Sequence, residues 1–208
     1  MNIDRRKRKF SSVDILVKTE ALKIPPQLLD DCIRGDRKAQ FQLYKSCYAL
    51  LMGVCIRYKK NEADASAVLN AGFLKILKGL KSYKPEVPFE AWARRIIINT
   101  IIDEFRKDRK VKELIDYVDM SGPDTYDIAF DYNQADKRFD AAALESLIKQ
   151  LPPVSQQVFN LYAIDGYKHR EIAKMLGISE GTSKWHLSFA RKKLMEWMNK
   201  AMNSSKVI

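Results

Sequence analysis

The residues best suited to binding chemistry lie between Lys168 and Lys193, towards the end of the chain. Thr182, Trp185 and Phe189 recur at helical spacing and would share one face of a helix. This segment has no set of carboxylates, cysteines and histidines spaced for catalysis or metal binding. We therefore expect this segment to bind a ligand rather than to catalyse a reaction. The cationic side chains around its aromatic face suit phosphate groups. These cations are Lys184, Arg191, Lys192 and Lys193.

Two helices separated by a glycine turn are predicted to position this face. Ile172 and Leu176 have helical spacing, and Gly177 can then adopt the left-handed conformation that ends a helix. Ser179 is placed to cap the second helix, and Glu180 suits its first turn. This is the helix-turn-helix arrangement, which lays its second helix in the DNA major groove. An ordinary helical hairpin with a solvated basic face is the alternative, and the tight turn and basic helix end disfavour it.

Composition favours a helical protein with a polyanionic partner. The chain has 208 residues, of which 46% are hydrophobic, so it can bury one large core or two small ones. Its net charge of +11 favours DNA, RNA or an acidic protein surface, without choosing among them. Glycine and proline are scarce, at 8 and 7 residues, which favours helices over a turn-rich sheet.

The three cysteines, Cys32, Cys47 and Cys55, have no CxxC spacing. They predict neither a disulfide framework nor a zinc site, and we interpret them as reduced core residues of a cytoplasmic protein. The basic N-terminal run precedes no long apolar segment, and no stretch approaches the roughly 20 apolar residues of a membrane span. We therefore expect no secretory signal, no membrane span and no cofactor.

Shifts in charge and apolar pattern divide the chain into four predicted parts. Residues 1–26 form a basic arm, either a solvated tail or a non-specific phosphate contact. Residues 27–110 are helical in pattern and end in basic charge. Residues 111–138 form an acidic linker, either a soluble spacer or a mimic of nucleic acid. Residues 139–208 contain the helix-turn-helix. The expected fold is all-α, with two small helical domains joined by a flexible acidic linker.

Each helical part carries motifs in a recognisable order. The second begins at Leu151-Pro152 and continues through Leu176-Gly177-Ile178-Ser179-x-Gly181-Thr182, which resembles the promoter-binding C-terminal region of bacterial RNA polymerase sigma factors. The first contains Phe73-Leu74-Lys75, Phe89-x-x-Trp92 and Arg95-Ile96…Asn99, and is similar to sigma region two. Two such regions joined by a short linker, over about residues 27 to 200, resemble the extracytoplasmic-function (ECF) type.

The resemblance implies a subunit that binds core RNA polymerase and directs initiation at promoters with −10 and −35 elements. The helix from Asp64 to Leu80 would dock on the polymerase, through contact residues Asp64, Leu69, Phe73 and Leu77. The loop before Phe89 and the helix after it would melt the −10 element, since single-stranded DNA needs basic and aromatic surfaces. The implied −10 contacts are Tyr83, Phe89, Arg95, Asn99, Arg106 and Lys107. For Asn99, a structural hydrogen bond is an equal alternative.

The resemblance also implies that the helix-turn-helix binds the −35 element. The residues facing base edges would be Thr182, Trp185, Ser188 and Phe189, and those binding phosphates would be Lys184, Arg191 and Lys192. Trp185 and Phe189 depart from the family pattern, so an Arg-to-guanine contact is missing there. We expect contact with thymine methyl groups and an A/T-leaning element; packing of either ring on a partner protein or on the first domain is the alternative.

The family further implies an anti-sigma factor as partner, and a chain that is not itself an enzyme. A conventional dimeric helix-turn-helix regulator is the main alternative, and it would bind a palindromic site without polymerase. An enzyme acting on nucleic acid is a third, which the lack of a catalytic constellation disfavours. Two local departures also stand out. Lys168 occupies a position where a Ser or Thr cap is usual, and Gly72 should weaken its helix.

Overall fold

The computed structural model describes residues 24–113 and 141–204. These residues form eight α-helices and no β-strand, which confirms the predicted all-α fold. Only the last three residues of the predicted basic arm are described, and only the first three of the predicted acidic linker, which continue a helix. Within the described ranges, no helix is both long enough and apolar enough to cross a membrane.

Four helices, which we call the N-terminal unit, precede the undescribed segment. They are α1 (Pro26–Ile33), α2 (Arg37–Tyr58), α3 (Glu62–Gly79) and α4 (Phe89–Glu113), with a 3-10 turn (Leu80–Ser82) after α3. Side chains cap two of these helices. The Asp36 carboxylate accepts hydrogen bonds from the backbone N–H groups of Lys38 and Ala39, and the Asn61 side chain accepts one from Asp64.

Helices α2, α3 and α4 pack on one another around an aliphatic core. All three cysteines are buried here without disulfide bonds, as expected. Burial raises the pKa of the Cys47 and Cys55 thiols to about 12. The fully buried side chains include Leu43, Leu51, Val54, Val68, Leu69, Ile76, Ile97 and Ile101.

Gly72 has a packing role that its helix propensity does not reveal. It is buried where α3 crosses α4. A Cβ at this position would lie 2.5 Å from Ile97 Cδ1 and 3.7 Å from Ile97 Cα. The absent side chain therefore lets the two helices approach closely, which offsets the intrinsic cost of glycine inside a helix.

Four further helices form the C-terminal unit. They are α5 (Ala141–Lys149), α6 (Pro153–Phe159), α7 (His169–Leu176) and α8 (Glu180–Ser204). The long α8 packs against the other three. After Phe159 the regular helix gives way to a π turn (Asn160–Ile164). The wider turn ends where the Tyr167 N–H donates to the Leu161 carbonyl and Gly166 adopts a φ of +77°.

Candidate nucleic-acid interface

The turn between α7 and α8 has the predicted helix-turn-helix geometry. Gly177 adopts a left-handed conformation with a φ of +67°, and the N–H of Ile178 donates to the Ala173 carbonyl at 3.1 Å. The Ser179 hydroxyl then accepts a hydrogen bond from the Thr182 N–H at 2.9 Å, which caps α8 as expected. These local bonds fix the angle at which α8 leaves α7.

The start of α7 is held by contacts that the sequence did not suggest. Glu171 Oε2 accepts a hydrogen bond from the Lys168 backbone N–H at 2.9 Å, which compensates for the absence of a Ser or Thr cap. His169 Nδ1 lies 2.9 Å from Ser183 Oγ of α8, and the His169 ring stacks on Tyr162. Burial, reinforced by the nearby cation of Lys184, lowers the pKa of His169.

Trp185 and Phe189 form a stacked aromatic pair on α8. Their ring centroids lie 5.4 Å apart with an interplanar angle of 19°, and both side chains are half-buried. His186 supports the pair from the side, with its ring edge-on to Trp185 at 4.8 Å. Its Nδ1 lies 2.9 Å from the buried Ser155 hydroxyl of α6. The rings are thus pre-positioned within their own helix, beside the exposed Thr182.

The predicted phosphate-binding residues differ in their exposure. Lys184 and Lys192 are exposed, and Lys184 forms a 3.4 Å ion pair with Glu180. Arg191 is half-buried, and its guanidinium lies over the Tyr162 ring at 5.7 Å. In this conformation Arg191 therefore contributes to packing within the C-terminal unit. Ser188, predicted to face a base, is half-buried on the same helix.

The predicted −10 residues on α4 form an exposed stripe. Arg95 and Asn99 are one turn apart, and Arg106 follows two turns later. Lys107 adds a second exposed cation at the basic end of the helix. The one carboxylate interrupting this stripe, Asp103, lies 3.4 Å from the Lys75 ammonium of α3. Arginine, lysine and amide side chains on one solvated face can bind a DNA backbone and hydrogen-bond to bases.

The aromatic residues beside this stripe pack on one another. Tyr83, Phe89 and Trp92 have ring centroids 5.0 to 5.5 Å apart. Phe89 is only 6% exposed, so in this conformation it holds the loop in place and has little surface to offer a base. Tyr83 is half-buried, and its hydroxyl donates to the Val87 carbonyl at 2.8 Å.

The predicted polymerase-binding residues on α3 also differ in their exposure. Asp64 is exposed and Leu77 is half-buried, whereas Leu69 and Phe73 are buried. The last two side chains cannot touch a partner in this conformation, because they pack inside the N-terminal unit. Sequence reasoning missed Leu74, which is 59% exposed on the same helix. On α2, the Phe41 ring is also exposed, at 64%.

A polar cluster between the two units was missed entirely. The Asp165 side chain, only 2% exposed, lies 2.9 Å from Arg57 Nη2 and 3.5 Å from Arg94 Nη2. It also accepts a hydrogen bond from the Tyr58 hydroxyl at 2.5 Å. Burial and the neighbouring Asp165 charge raise the pKa of Tyr58 well above its ordinary value. Partners so far apart in the chain leave no local signal in the sequence.

Known proteins are similar to this chain over both units. A family model for Sigma-70 region 2 matches residues 43–111, and one for Sigma-70, region 4 matches residues 141–194. The ECF RNA polymerase sigma factor SigM of Mycobacterium tuberculosis is 24% identical over 180 residues, covering 85% of this chain and 87% of SigM. The RNA polymerase sigma factor CnrH of Cupriavidus metallidurans is 29% identical over 165 residues, covering 77% and 86% of the two chains.

A solved structure of the sigma factor RpoE in complex with the anti-sigma factor NepR, from Bartonella quintana, is 18% identical with a TM-score of 0.47. The match covers 76% of this chain and 95% of that one. The two family models occur in the order that the sequence motifs predicted, and together they span more than half of the chain. The chain therefore belongs to the RNA polymerase sigma factors and is of the ECF type.

Proposed function

We propose that this protein binds core RNA polymerase and directs transcription initiation at promoters with −10 and −35 elements. The observation that carries the proposal is the pairing of a region 2 match with a region 4 match that contains a capped helix-turn-helix. The units correspond to separate domains at residues 27–110 and 139–208. The chain acts in the cytoplasm, on the nucleoid when bound to polymerase, and has no enzymatic activity of its own.

The C-terminal unit binds the −35 element through α8. Thr182, Trp185, Ser188 and Phe189 face the base edges. Because Trp185 and Phe189 present stacked apolar rings, their natural partners in the major groove are the methyl groups of thymine. The exposed cations Lys184 and Lys192 bind phosphates, and Arg191 joins them when its guanidinium leaves the Tyr162 ring.

The N-terminal unit opens and holds the −10 element along α4. Arg95, Asn99, Arg106 and Lys107 are exposed along one side of the helix and follow the single strand. Tyr83 and Phe89 take part when their aromatic packing with Trp92 loosens, which frees their rings to stack on unpaired bases. This requirement makes the loop between α3 and α4 the part that must move.

Core polymerase docks on α3 of the N-terminal unit. Asp64 and Leu77 are accessible, and the exposed Leu74 provides an apolar contact between them along the helix. Leu69 and Phe73 support this surface from within. An anti-sigma factor is the second protein partner, and it holds the chain away from polymerase until it is released.

Run-off transcription with purified core polymerase tests the proposal. With the protein added, a library of upstream DNA from the source genome should give specific start sites that share paired −10 and −35 elements. A dimeric regulator would instead bind a palindromic duplex in the absence of polymerase and give no new start sites. That result, together with failure to bind core polymerase, would replace the sigma assignment by the regulator.

A further inference from the structure

The stacked rings of Trp185 and Phe189 are held in position without DNA. Their centroids lie 5.4 Å apart at an interplanar angle of 19°. The His186 ring is edge-on to Trp185, and its Nδ1 lies 2.9 Å from the hydroxyl of the buried Ser155. A surface that is already ordered loses little conformational entropy on binding. Contact with a single methyl group can therefore contribute nearly its full hydrophobic free energy.

Two cations that flank these rings on α8 are engaged elsewhere. Lys184 forms its ion pair with Glu180, and the Arg191 guanidinium lies over the Tyr162 ring. A third, Lys192, is assigned above to a phosphate. The stacked pair therefore presents aromatic carbon to the floor of the major groove, with no cation of its own to bind guanine O6 and N7. Such a surface selects for a methyl group more than for a hydrogen-bonding pattern.

DNA can place a methyl group at this point of the major groove in two ways. Thymine carries its methyl group at C5 of the pyrimidine ring, and cytosine methylated at C5 carries the same group at the same ring position. The two bases differ at C4, where thymine has an oxygen acceptor and cytosine has an amino donor. A protein distinguishes them only if its neighbouring polar groups are fixed as donors or as acceptors.

The polar groups beside the rings are hydroxyls, which can serve in either role. Thr182 and Ser188 each lie three residues from Trp185, which is about one helical turn. A hydroxyl can donate to thymine O4 or accept from the cytosine amino group. The Thr182 hydroxyl lies 2.8 Å from the Ser179 hydroxyl, and either oxygen can be the donor, so this proton is not fixed in one direction. We call the four α8 residues the reading surface: Thr182, Trp185, Ser188 and Phe189.

We propose that the reading surface binds cytosine methylated at C5 within the −35 element. The hydroxyls accept either pyrimidine, and the rings respond to the methyl group. A promoter with cytosine opposite the rings is therefore used weakly until that cytosine is methylated, so a methyl-transfer reaction on DNA controls its use by this protein. The inference rests on the proposed function, because it names a second base that α8 recognises when it binds the −35 element.

Run-off transcription with core polymerase and the full-length protein tests the inference. The −35 element is first located from the start sites obtained with unmodified DNA. Each base pair of the element is then replaced in turn by synthetic T·A, deoxyuracil·A, C·G and 5-methylcytosine·G pairs. A template with 5-methylcytosine outside the element controls for a general effect of methylation. N6-methyladenine is tested in the same positions, because its methyl group also lies in the major groove but on a purine.

We expect at least one position at which both methylated pyrimidines are used better than their unmethylated forms. Thymine over deoxyuracil, and 5-methylcytosine over cytosine, should each gain about fourfold at subsaturating protein, which corresponds to one covered methyl group. N6-methyladenine should give no gain at that position. Fluorescence anisotropy with the matching −35 duplexes should show the same ratios for binding alone.

Substitutions in the protein assign the effect to the two rings. Trp185→Gln and Phe189→Gln should each reduce the gain from 5-methylcytosine, and the double variant should lose it. Met195→Gln is the matched control, because this apolar residue is exposed on the same helix but lies outside the reading surface. The gain is a ratio of two templates measured with one protein sample, so partial unfolding of a variant leaves it unchanged.

Three results would overturn the inference: equal use of 5-methylcytosine and cytosine at every position, a gain that persists in the double variant, or a gain from N6-methyladenine alone. Specific initiation on unmodified DNA together with any of these removes methylcytosine recognition and leaves the proposed function intact. Absence of both polymerase binding and specific initiation on unmodified DNA removes the proposed function itself.

Discussion

Ser155 of α6 and His186 of α8 are joined by a hydrogen bond inside the C-terminal unit, with Oγ and Nδ1 2.9 Å apart. Both residues are buried, and the His186 ring supports Trp185 edge-on. The bond therefore links the core of the unit to the face proposed for base contact. It gives a buried polar residue a role that the aromatic pattern of α8 alone would not reveal.

Substitution Ser155→Ala should destabilise the C-terminal unit by about 1–3 kcal/mol, because it leaves a buried ring nitrogen without its partner. Urea unfolding measures the change. The control is Ser146→Ala on α5, where the serine is accessible and the free energy of unfolding should change little. Equal stability of both variants would mean that the hydrogen bond contributes nothing.

Two glycines in helix interiors should respond in opposite ways to alanine. At Gly53 of α2, an added methyl group would have no atom within 4 Å, so Gly53→Ala should stabilise the protein by about 0.5–1 kcal/mol. At Gly72 the added methyl meets the buried Ile97 side chain at 2.5 Å, so Gly72→Ala should destabilise by about 1 kcal/mol or more. Thermal unfolding compares the two variants. If Gly72→Ala stabilises the protein, the crossing of α3 and α4 has enough space for a methyl group.

The stacked pair on α8 should make DNA binding depend on thymine methyl groups. Each methyl covered by Trp185 or Phe189 contributes about 0.8 kcal/mol, so replacing that thymine by deoxyuracil should weaken binding by about fourfold. Fluorescence anisotropy with −35 duplexes measures this, with deoxyuracil outside the element as control. The double variant Trp185→Ala, Phe189→Ala should bind more weakly and lose the sensitivity. Unchanged binding of the deoxyuracil duplex by the normal protein would contradict methyl contact.

Stability should fall as the pH drops below about 6.5, with His169 as one cause. Burial first, and the cations of Lys184 and Arg191 next, lower the pKa of this ring in the folded protein. Folding therefore favours the neutral ring. This contribution is complete above the unfolded pKa of about 6.5 and is lost as the pH falls through the lower folded pKa. Unfolding of His169→Gln across this range should show a weaker pH dependence, and an unchanged slope would exclude the ring as a cause.

Polymerase binding should depend on the exposed Leu74. The Leu74 side chain is 59% exposed, so the fold should tolerate Leu74→Asp. Because the substitution removes an apolar contact and adds a charge, the affinity for core polymerase should fall by about tenfold or more. Met195→Asp on α8 is the control, because that residue is also exposed but lies in the other unit. Biolayer interferometry with immobilised core polymerase compares them. Equal affinity would move the docking surface away from this part of α3.

Features with local causes could be predicted from the sequence. Asp36, Asn61 and Ser179 cap helices by bonds that reach only two or three residues along the chain. Gly177 ends α7 because its conformation is a property of the residue itself. The helical fold and the helix-turn-helix follow from many such local preferences acting together.

Features that depend on which face of a helix is covered were harder to predict. Motif spacing identified Leu69, Phe73 and Phe89, but all three are buried, because a motif contains core residues as well as surface ones. The polar cluster around Asp165 could not be predicted. Arg57 and Asp165 are separated by 108 positions, and neither residue type is unusual where it stands. Only the tertiary structure brings these two charges together.

The three buried cysteines limit how this protein can respond to its surroundings. The pKa of each thiol is raised by burial, to about 12 for Cys47 and Cys55. Oxidants attack the thiolate, which is almost absent at neutral pH when the pKa is that high. The cysteine thiols of the folded chain are therefore poorly suited to sense peroxide or other oxidants. We expect an oxidative signal that changes its activity to be detected at a group other than these three thiols.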